Sequence, residues 1–228
     1  MSSNDALEEI GFEMPPELKR IGFLPVIGTE GDITSSKFGG KPFTDEDHKD
    51  PGFPLLLQLH VDTLPEEAKE YLGLDTGYIQ LFYSPESSFE HDAIGSPCRY
   101  FKPVGEYVAD EGGCGELYEE KFITEWEPFT EYDRDEFSYE KYKDDPFVDM
   151  VDDIIFQSTV PKDKLMGSPA WCQGPEYSKC KKCGTQKRHV FHIESNQNVD
   201  IMFGDMGSGQ LQQCPNCKDI FSFGWACC

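Results

Sequence analysis

Two short cysteine pairs, Cys180-Lys-Lys-Cys183 and Cys214-Pro-Asn-Cys217, are the residues in this sequence best spaced for chemistry. A Cys-x-x-Cys segment bends into a tight turn that aims both thiolates the same way. Two such turns can surround one ion tetrahedrally, with Zn–S distances of about 2.3 Å. Gly184 after the first pair and Pro215 inside the second suit those turns. Lys179, Lys181 and Lys182 add positive charge that favours thiolate over thiol. The spacing therefore predicts one zinc ion held by Cys180, Cys183, Cys214 and Cys217. Four thiolates leave no open coordination position, so the predicted role is structural, not catalytic. A redox Cys-x-x-Cys would need only one pair. Cys172 is an alternative ligand, whereas Cys227 and Cys228 read as packed or free thiols.

The remaining candidates are weaker. Cys114 lies in Asp110-Glu-Gly-Gly-Cys-Gly115, without a histidine nearby in sequence to activate it. A fold could bring His60, His91 or His192 to it. Asp45-Glu-Asp-His-Lys-Asp50 offers oxygens to a hard cation, but lacks the glycine and terminal glutamate of an EF-hand loop; a solvated loop is the better reading. Asp205, in Phe203-Gly-Asp-Met-Gly207, suits a tight turn in which it caps its own backbone. His60 and His192 fall in strand candidates, where packed or hydrogen-bonded histidines are common.

The elements that must position these residues form an internal repeat. Lys37-Phe-Gly-Gly-Lys-Pro42 and Lys164-Leu-Met-Gly-Ser-Pro169 share the pattern Lys-x-x-Gly-x-Pro. Each precedes an apolar strand candidate, residues 54–61 or 189–195, then a polar turn. A second strand opened by glycine follows, at residues 77–83 or 209–214. Neither copy has the G-x-x-x-x-G-K-[ST] pattern of a phosphate loop; the prolines point to tight turns entering extended chain. Further strand candidates are 99–104, 121–126, 201–203 and 220–225. Helices are expected at 64–72, with Thr63 as cap, at 147–155, and over a short stretch at 15–21. Thirty residues separate Cys183 from Cys214, more than the roughly 15–20 of a compact zinc ribbon. A hairpin must fill that interval. The expected fold is α+β: duplicated β-rich units, mainly antiparallel, with few helices and a zinc-ribbon-like hairpin in the second repeat. The expected division is an extension over 1–20 and a single domain over 21–228. Within the domain, a first repeat spans about 21–105, an acidic insert about 106–153 and a second repeat about 154–228.

Charge narrows the partners. The 228-residue chain has 43 acidic and 20 basic residues, a net charge of -23. That argues against direct nucleic-acid binding, which needs a basic surface. Residues 106–153 alone carry 18 acidic and 4 basic residues. They read as a solvated acidic surface or as a dock for a basic protein. No apolar run reaches the roughly 20 residues of a membrane span. The start of the chain lacks signal and transit patterns, so a cytoplasmic location is expected. Seven of the nine cysteines fall in the last quarter, which favours metal over disulfides.

Ser36-Lys-Phe-Gly-Gly-Lys-Pro42, residues 55–59, residues 77–82, Met202-Phe-Gly-Asp-Met-Gly207 and the ending Phe221-Ser-Phe-Gly-Trp-Ala-Cys-Cys228 resemble the YwqG-like family over about residues 21–228. The resemblance implies a duplicated β-rich domain and supplies no catalytic residues. More distantly, the Ser-Lys-x-Gly-Gly-x-Pro start and the late Cys-Pro-x-Cys are similar to the programmed-cell-death-protein-2-like family. That likeness implies an escort for a basic ribosomal protein, although the cysteines such proteins carry after the first Gly-Gly-x-Pro are missing from residues 43–54. Together these readings favour a non-catalytic, zinc-stabilised protein-interaction module, a chaperone or scaffold for a basic protein. The alternatives are a structural subunit of a large assembly and a hydrolase using Asp205, His192 or Cys114.

Overall fold

Alternation of apolar and polar side chains along short strands builds one antiparallel sheet of ten strands. The structure is a computed structural model and describes residues 14–83, 98–109, 118–133 and 148–227. The strands are β1 (Lys19–Gly28), β2 (Lys37–Phe38), β3 (Leu55–His60), β4 (Tyr78–Phe82), β5 (Cys98–Phe101), β6 (Lys121–Tyr132), β7 (Lys164–Met166), β8 (Arg188–Glu194), β9 (Ser208–Gln213) and β10 (Phe221–Ala226). Two helices accompany them, α1 (Glu66–Leu72) and α2 (Val148–Ser158).

The strand order is β10-β9-β8-β7-β1-β6-β2-β3-β4-β5. It reads symmetrically about the long β1–β6 ribbon, so each half contributes one long strand and four shorter ones. The long strands are exchanged: β1 pairs with β7, and β6 pairs with β2. The cross-strand register repeats as well. Lys37 faces Gln58, Gln58 faces Gln80, and Gln80 faces Arg99. Lys164 faces His192, His192 faces Gln210, and Gln210 faces Gly224. Even the register break recurs, between Leu55 and Leu57 and between His189 and Phe191. By this register the counterpart of His192 is Gln58; His60 matches Glu194.

The sheet curls until its two ends meet. Tyr100 on β5 and Phe221 on β10 bring their ring centroids to 6.5 Å, making a nearly closed barrel. Its interior holds Phe38, Leu57, Leu59, Leu81, Phe191, Ile193, Leu211 and Phe223, all buried. Helix α1 packs Ala68 and Leu72 into the same core, and the Tyr71 hydroxyl donates to the His189 carbonyl at 2.8 Å. Helix α2 buries Val151 and Ile155 against Tyr132 and Met14. Full burial of one such aliphatic side chain stabilises the fold by about 1.5–3 kcal/mol.

Several expectations need correction. Residues 15–21 form only a 3-10 turn, Pro16–Leu18, before β1 begins at Lys19. Pro25 hid this strand. It is tolerated because β7 reaches only Gly22 and Phe23, and among the described residues no strand pairs with that side of β1 further along. Helix α1 starts at Glu66 behind Pro65, while the Thr63 hydroxyl donates to the His60 carbonyl and caps nothing. Residues 201–203 form no strand; Ile201 and Phe203 are buried as part of the turn that closes the β8–β9 hairpin. The strand expected at 121–126 runs on to Tyr132 as β6, at the centre of the sheet.

Candidate metal centre

The β8–β9 hairpin fills the long interval between the cysteine pairs, with Arg188 opposite Gln213 at its open end. Both pairs therefore emerge at that end. In the first turn the Cys180 N–H donates to the Thr185 carbonyl at 2.8 Å, and the Gly184 N–H donates to the Cys180 carbonyl at 2.8 Å. Gly184 adopts φ of 75°, a left-handed geometry that suits glycine. In the second turn the Cys214 N–H donates to the Ile220 carbonyl at 2.9 Å, and the Cys217 N–H points at Cys214 Sγ at 3.2 Å. Asn216 Nδ2 donates to Thr185 Oγ1 at 2.9 Å and ties one turn to the other. Buried Gln213 donates to the carbonyls of Leu72 at 3.0 Å and Lys218 at 2.8 Å, linking the second turn to α1.

These bonds bring the Sγ atoms of Cys180, Cys183, Cys214 and Cys217 within 4.8 Å of one another. The Cys183–Cys214 separation is 3.5 Å. A tetrahedral zinc with 2.3 Å bonds sets its sulfurs about 3.8 Å apart, so the cluster has the size of such a cage. Cys180 and Cys214 are buried, Cys217 is half-buried and Cys183 is exposed. Hydrogen bonds from the Thr185 hydroxyl and N–H hold the Cys183 thiol down at about 6. The neighbouring lysines are not among its largest causes. Burial, together with Cys183 and Cys180, pushes Cys217 up to about 12. An all-sulfur donor set suits a soft or borderline cation. Four protein donors fill a tetrahedral shell, leaving no place for substrate or water.

The other candidates do not join this centre. Cys172 Sγ contacts Ser208 Oγ at 3.6 Å on the outer face of the second half. Asp45 is wholly buried and accepts the N–H groups of Asp47, His48 and Val104, at 3.0, 2.7 and 3.0 Å, and faces His48 Nδ1 at 2.8 Å. Its oxygens serve the loop rather than a cation. His60 stacks on Tyr78 at 4.7 Å. His192 is buried with both ring nitrogens engaged, by Glu194 and Gln210. Asp205 is exposed on its turn. Cys114, His91 and Cys228 lie outside the described residues. Among the described residues, the four cysteines form the group of three or more potential ligands that converges.

Sequence reasoning missed a second feature, a cleft of about 300 Å³ on the outer face of β9 and β10. Ser208, Gln210 and Gln212, at alternate positions of β9, line it.

Fold and cluster define a class: a duplicated, nearly closed antiparallel β-barrel with a four-cysteine group at one hairpin end. The chain belongs to the family described as a domain of unknown function (DUF1963), whose model matches residues 36–211, more than half of the chain. That match includes Cys180 and Cys183 and stops short of Cys214. A search of curated proteins gave no match. No helix among the described residues is long and apolar enough to cross a membrane.

Proposed function

We propose that this chain is a non-catalytic protein-interaction module whose second half is clasped by one zinc ion on Cys180, Cys183, Cys214 and Cys217. The convergence of the four Sγ atoms within 4.8 Å carries this reading, because a closed thiolate set stabilises structure without offering a reaction site. The YwqG-like resemblance fits it, as do a cytoplasmic setting and one domain over 21–228 made of two repeats.

The docking surface for a basic partner is the exposed acid of β6 and α2. Glu125, Glu127, Asp149 and Asp153 face solvent there. In the same stretch Glu120 pairs with Lys37, Glu131 with Lys164 and Asp133 with Arg20. Exposed acids speed and steer the encounter with a basic protein more than they tighten it. Two measurements test the proposal. Metal analysis of protein purified without chelator should find one zinc per chain, lost in Cys180→Ser plus Cys214→Ser. Binding of basic proteins should weaken with salt, and again when the four exposed acids become Gln or Asn. Binding unchanged by that neutralisation would refute the docking surface.

A further inference from the structure

The two halves differ at one register position. In the first half Gln80 faces Arg99, and in the second Gln210 faces Gly224. Directly opposed residues of antiparallel strands project from the same face. Arg99 Nε donates to Gln80 Oε1 at 2.8 Å, and its guanidinium lies over Phe82 at 5.2 Å and Phe101 at 5.0 Å. Burial lowers its pKa, and the nearby Asp50 and Asp45 offset part of that. The outer face of the first half is therefore plugged by its own arginine.

The second half lacks the plug. Gly224 stands in place of Arg99, and Ser208 paired with Ala226 stands in place of Tyr78 paired with Phe101. The space so vacated is the 300 Å³ cleft. Gln210 lines it and is 3% exposed. Its orientation is fixed from below. The Glu194 carboxylate can only accept a hydrogen bond, so the proton it meets at 2.9 Å sits on His192 Nε2. His192 Nδ1 is then an acceptor and takes the Gln210 Nε2–H at 2.7 Å. Gln210 Oε1 is left buried, without a donor among the described residues. Arg99 meets this need in the first half; nothing does here.

The charge around the cleft is also reversed. Lys179, Lys181 and Lys187 line it, with Glu176 as the acid of its lining, in a chain of net charge -23. Trp171 and Tyr177 supply apolar wall. We propose that this cleft binds a small organic anion that carries an N–H or O–H group: the donor satisfies Gln210 Oε1, the anionic end meets the lysines, and an apolar body lies between. A cavity of this size is at the small end of ligand sites.

The test uses the full chain and defined probes, followed by amide spectra. The probes are 4-hydroxybenzoate, which has both groups; benzoate, without the donor; phenol, without the anion; and 4-hydroxybenzamidine, with a cation instead. The first should shift amides of β9, β10 and residues 171–178 saturably, with affinity on the order of millimolar for so small a ligand. Benzoate and phenol should each bind several-fold more weakly. Gly224→Arg, which rebuilds the first half's plug, should lower affinity about tenfold or more by occupying the cleft and satisfying Gln210. Ser208→Tyr, the counterpart of Tyr78, serves if that variant fails to fold. Gln210→Leu should erase the preference for 4-hydroxybenzoate over benzoate. Absence of saturable shifts, stronger binding of the amidine, or a plugged variant that binds as wild type does would each overturn the proposal.

Discussion

Lys164 Nζ lies 2.7 Å from Glu131 Oε1, and neither side chain has any solvent exposure. Its counterpart Lys37 lies 2.7 Å from Glu120 Oε1, where the lysine is equally buried but the acid is 37% exposed. The two lysines open the two Lys-x-x-Gly-x-Pro segments, and both acids come from β6 or the residue leading into it. The repeated segment is thus a turn built around a buried ammonium. Glu131 also accepts the N–H groups of Ser168 at 2.6 Å and Val160 at 2.9 Å. Removing one partner of a buried pair strands the other in low dielectric, which costs about 3–5 kcal/mol, whereas a pair open to water is worth about 1 kcal/mol or less. Glu131→Gln should therefore destabilise the chain several-fold more than Glu120→Gln. Urea unfolding of the two variants checks the order; equal losses would refute it.

The glycines of the same segments answer to those carboxylates. Gly39 and Gly40 have φ of 61° and 68°; Met166 and Gly167 have 61° and 74°. A Cβ on Gly40 would come 2.5 Å from Glu120 Oε1, and one on Gly167 would collide with Glu131 Oε1. A left-handed backbone costs a side chain about 1–2 kcal/mol before any clash. Gly40→Ala and Gly167→Ala should each lose at least that much. Gly167→Ala should lose more, because Glu131 is pinned by three hydrogen bonds and cannot retreat. Thermal unfolding of the two alanine variants measures both.

These pairs mark the boundary of what the sequence displays. The Lys-x-x-Gly-x-Pro turns and the cysteine pairs were legible because their information is local. Strands β3, β4, β8 and β10 were legible from their apolar runs. The partner of Lys164 was not, because Glu131 stands 33 residues away in a stretch whose acid density resembles a solvated loop. Strand β1 was masked by Gly22 and Pro25, the latter on the flank beyond the reach of β7. The cleft was invisible because it follows from register, Gly224 opposite Gln210, and no local pattern specifies register.

Asp45 gives the fold a defined acid sensitivity. Burial alone would raise its carboxyl, but the N–H of Val104, the His48 ring and the N–H groups of His48 and Asp47 outweigh that and hold it at about 2. An unfolded aspartate titrates near 3.9. The folded value is depressed, so the carboxylate's contribution is complete above about pH 4 and is lost as pH falls through about 2. Its size is about 2.6 kcal/mol. The stability advantage of wild type over Asp45→Asn should be flat at neutral pH and shrink between pH 4 and 2. Unfolding curves collected across that range would show it; a gap independent of pH would exclude the assignment.

Metal removal should act locally before it acts globally. The cysteine turns hold the open end of the β8–β9 hairpin, and Gln213 carries that order to the Leu72 carbonyl at the end of α1. Without a cation, the four sulfurs keep only weak mutual contacts, and the raised Cys217 thiol stays protonated. Zinc bound by such a set contributes directly to folding free energy. Even about 4 kcal/mol would move the melting temperature of a chain this size by roughly 10 °C. Chelation, or Cys180→Ser plus Cys214→Ser, should lower it by about that much. Amide shifts should appear first in residues 178–187 and 213–220, then at the end of α1, while the Asp45 loop stays unchanged. Cys172→Ser should do none of this, since its sulfur faces Ser208 and not the cluster. A melting temperature indifferent to chelator in protein shown to carry zinc would mean that the cysteines bind metal without holding the fold.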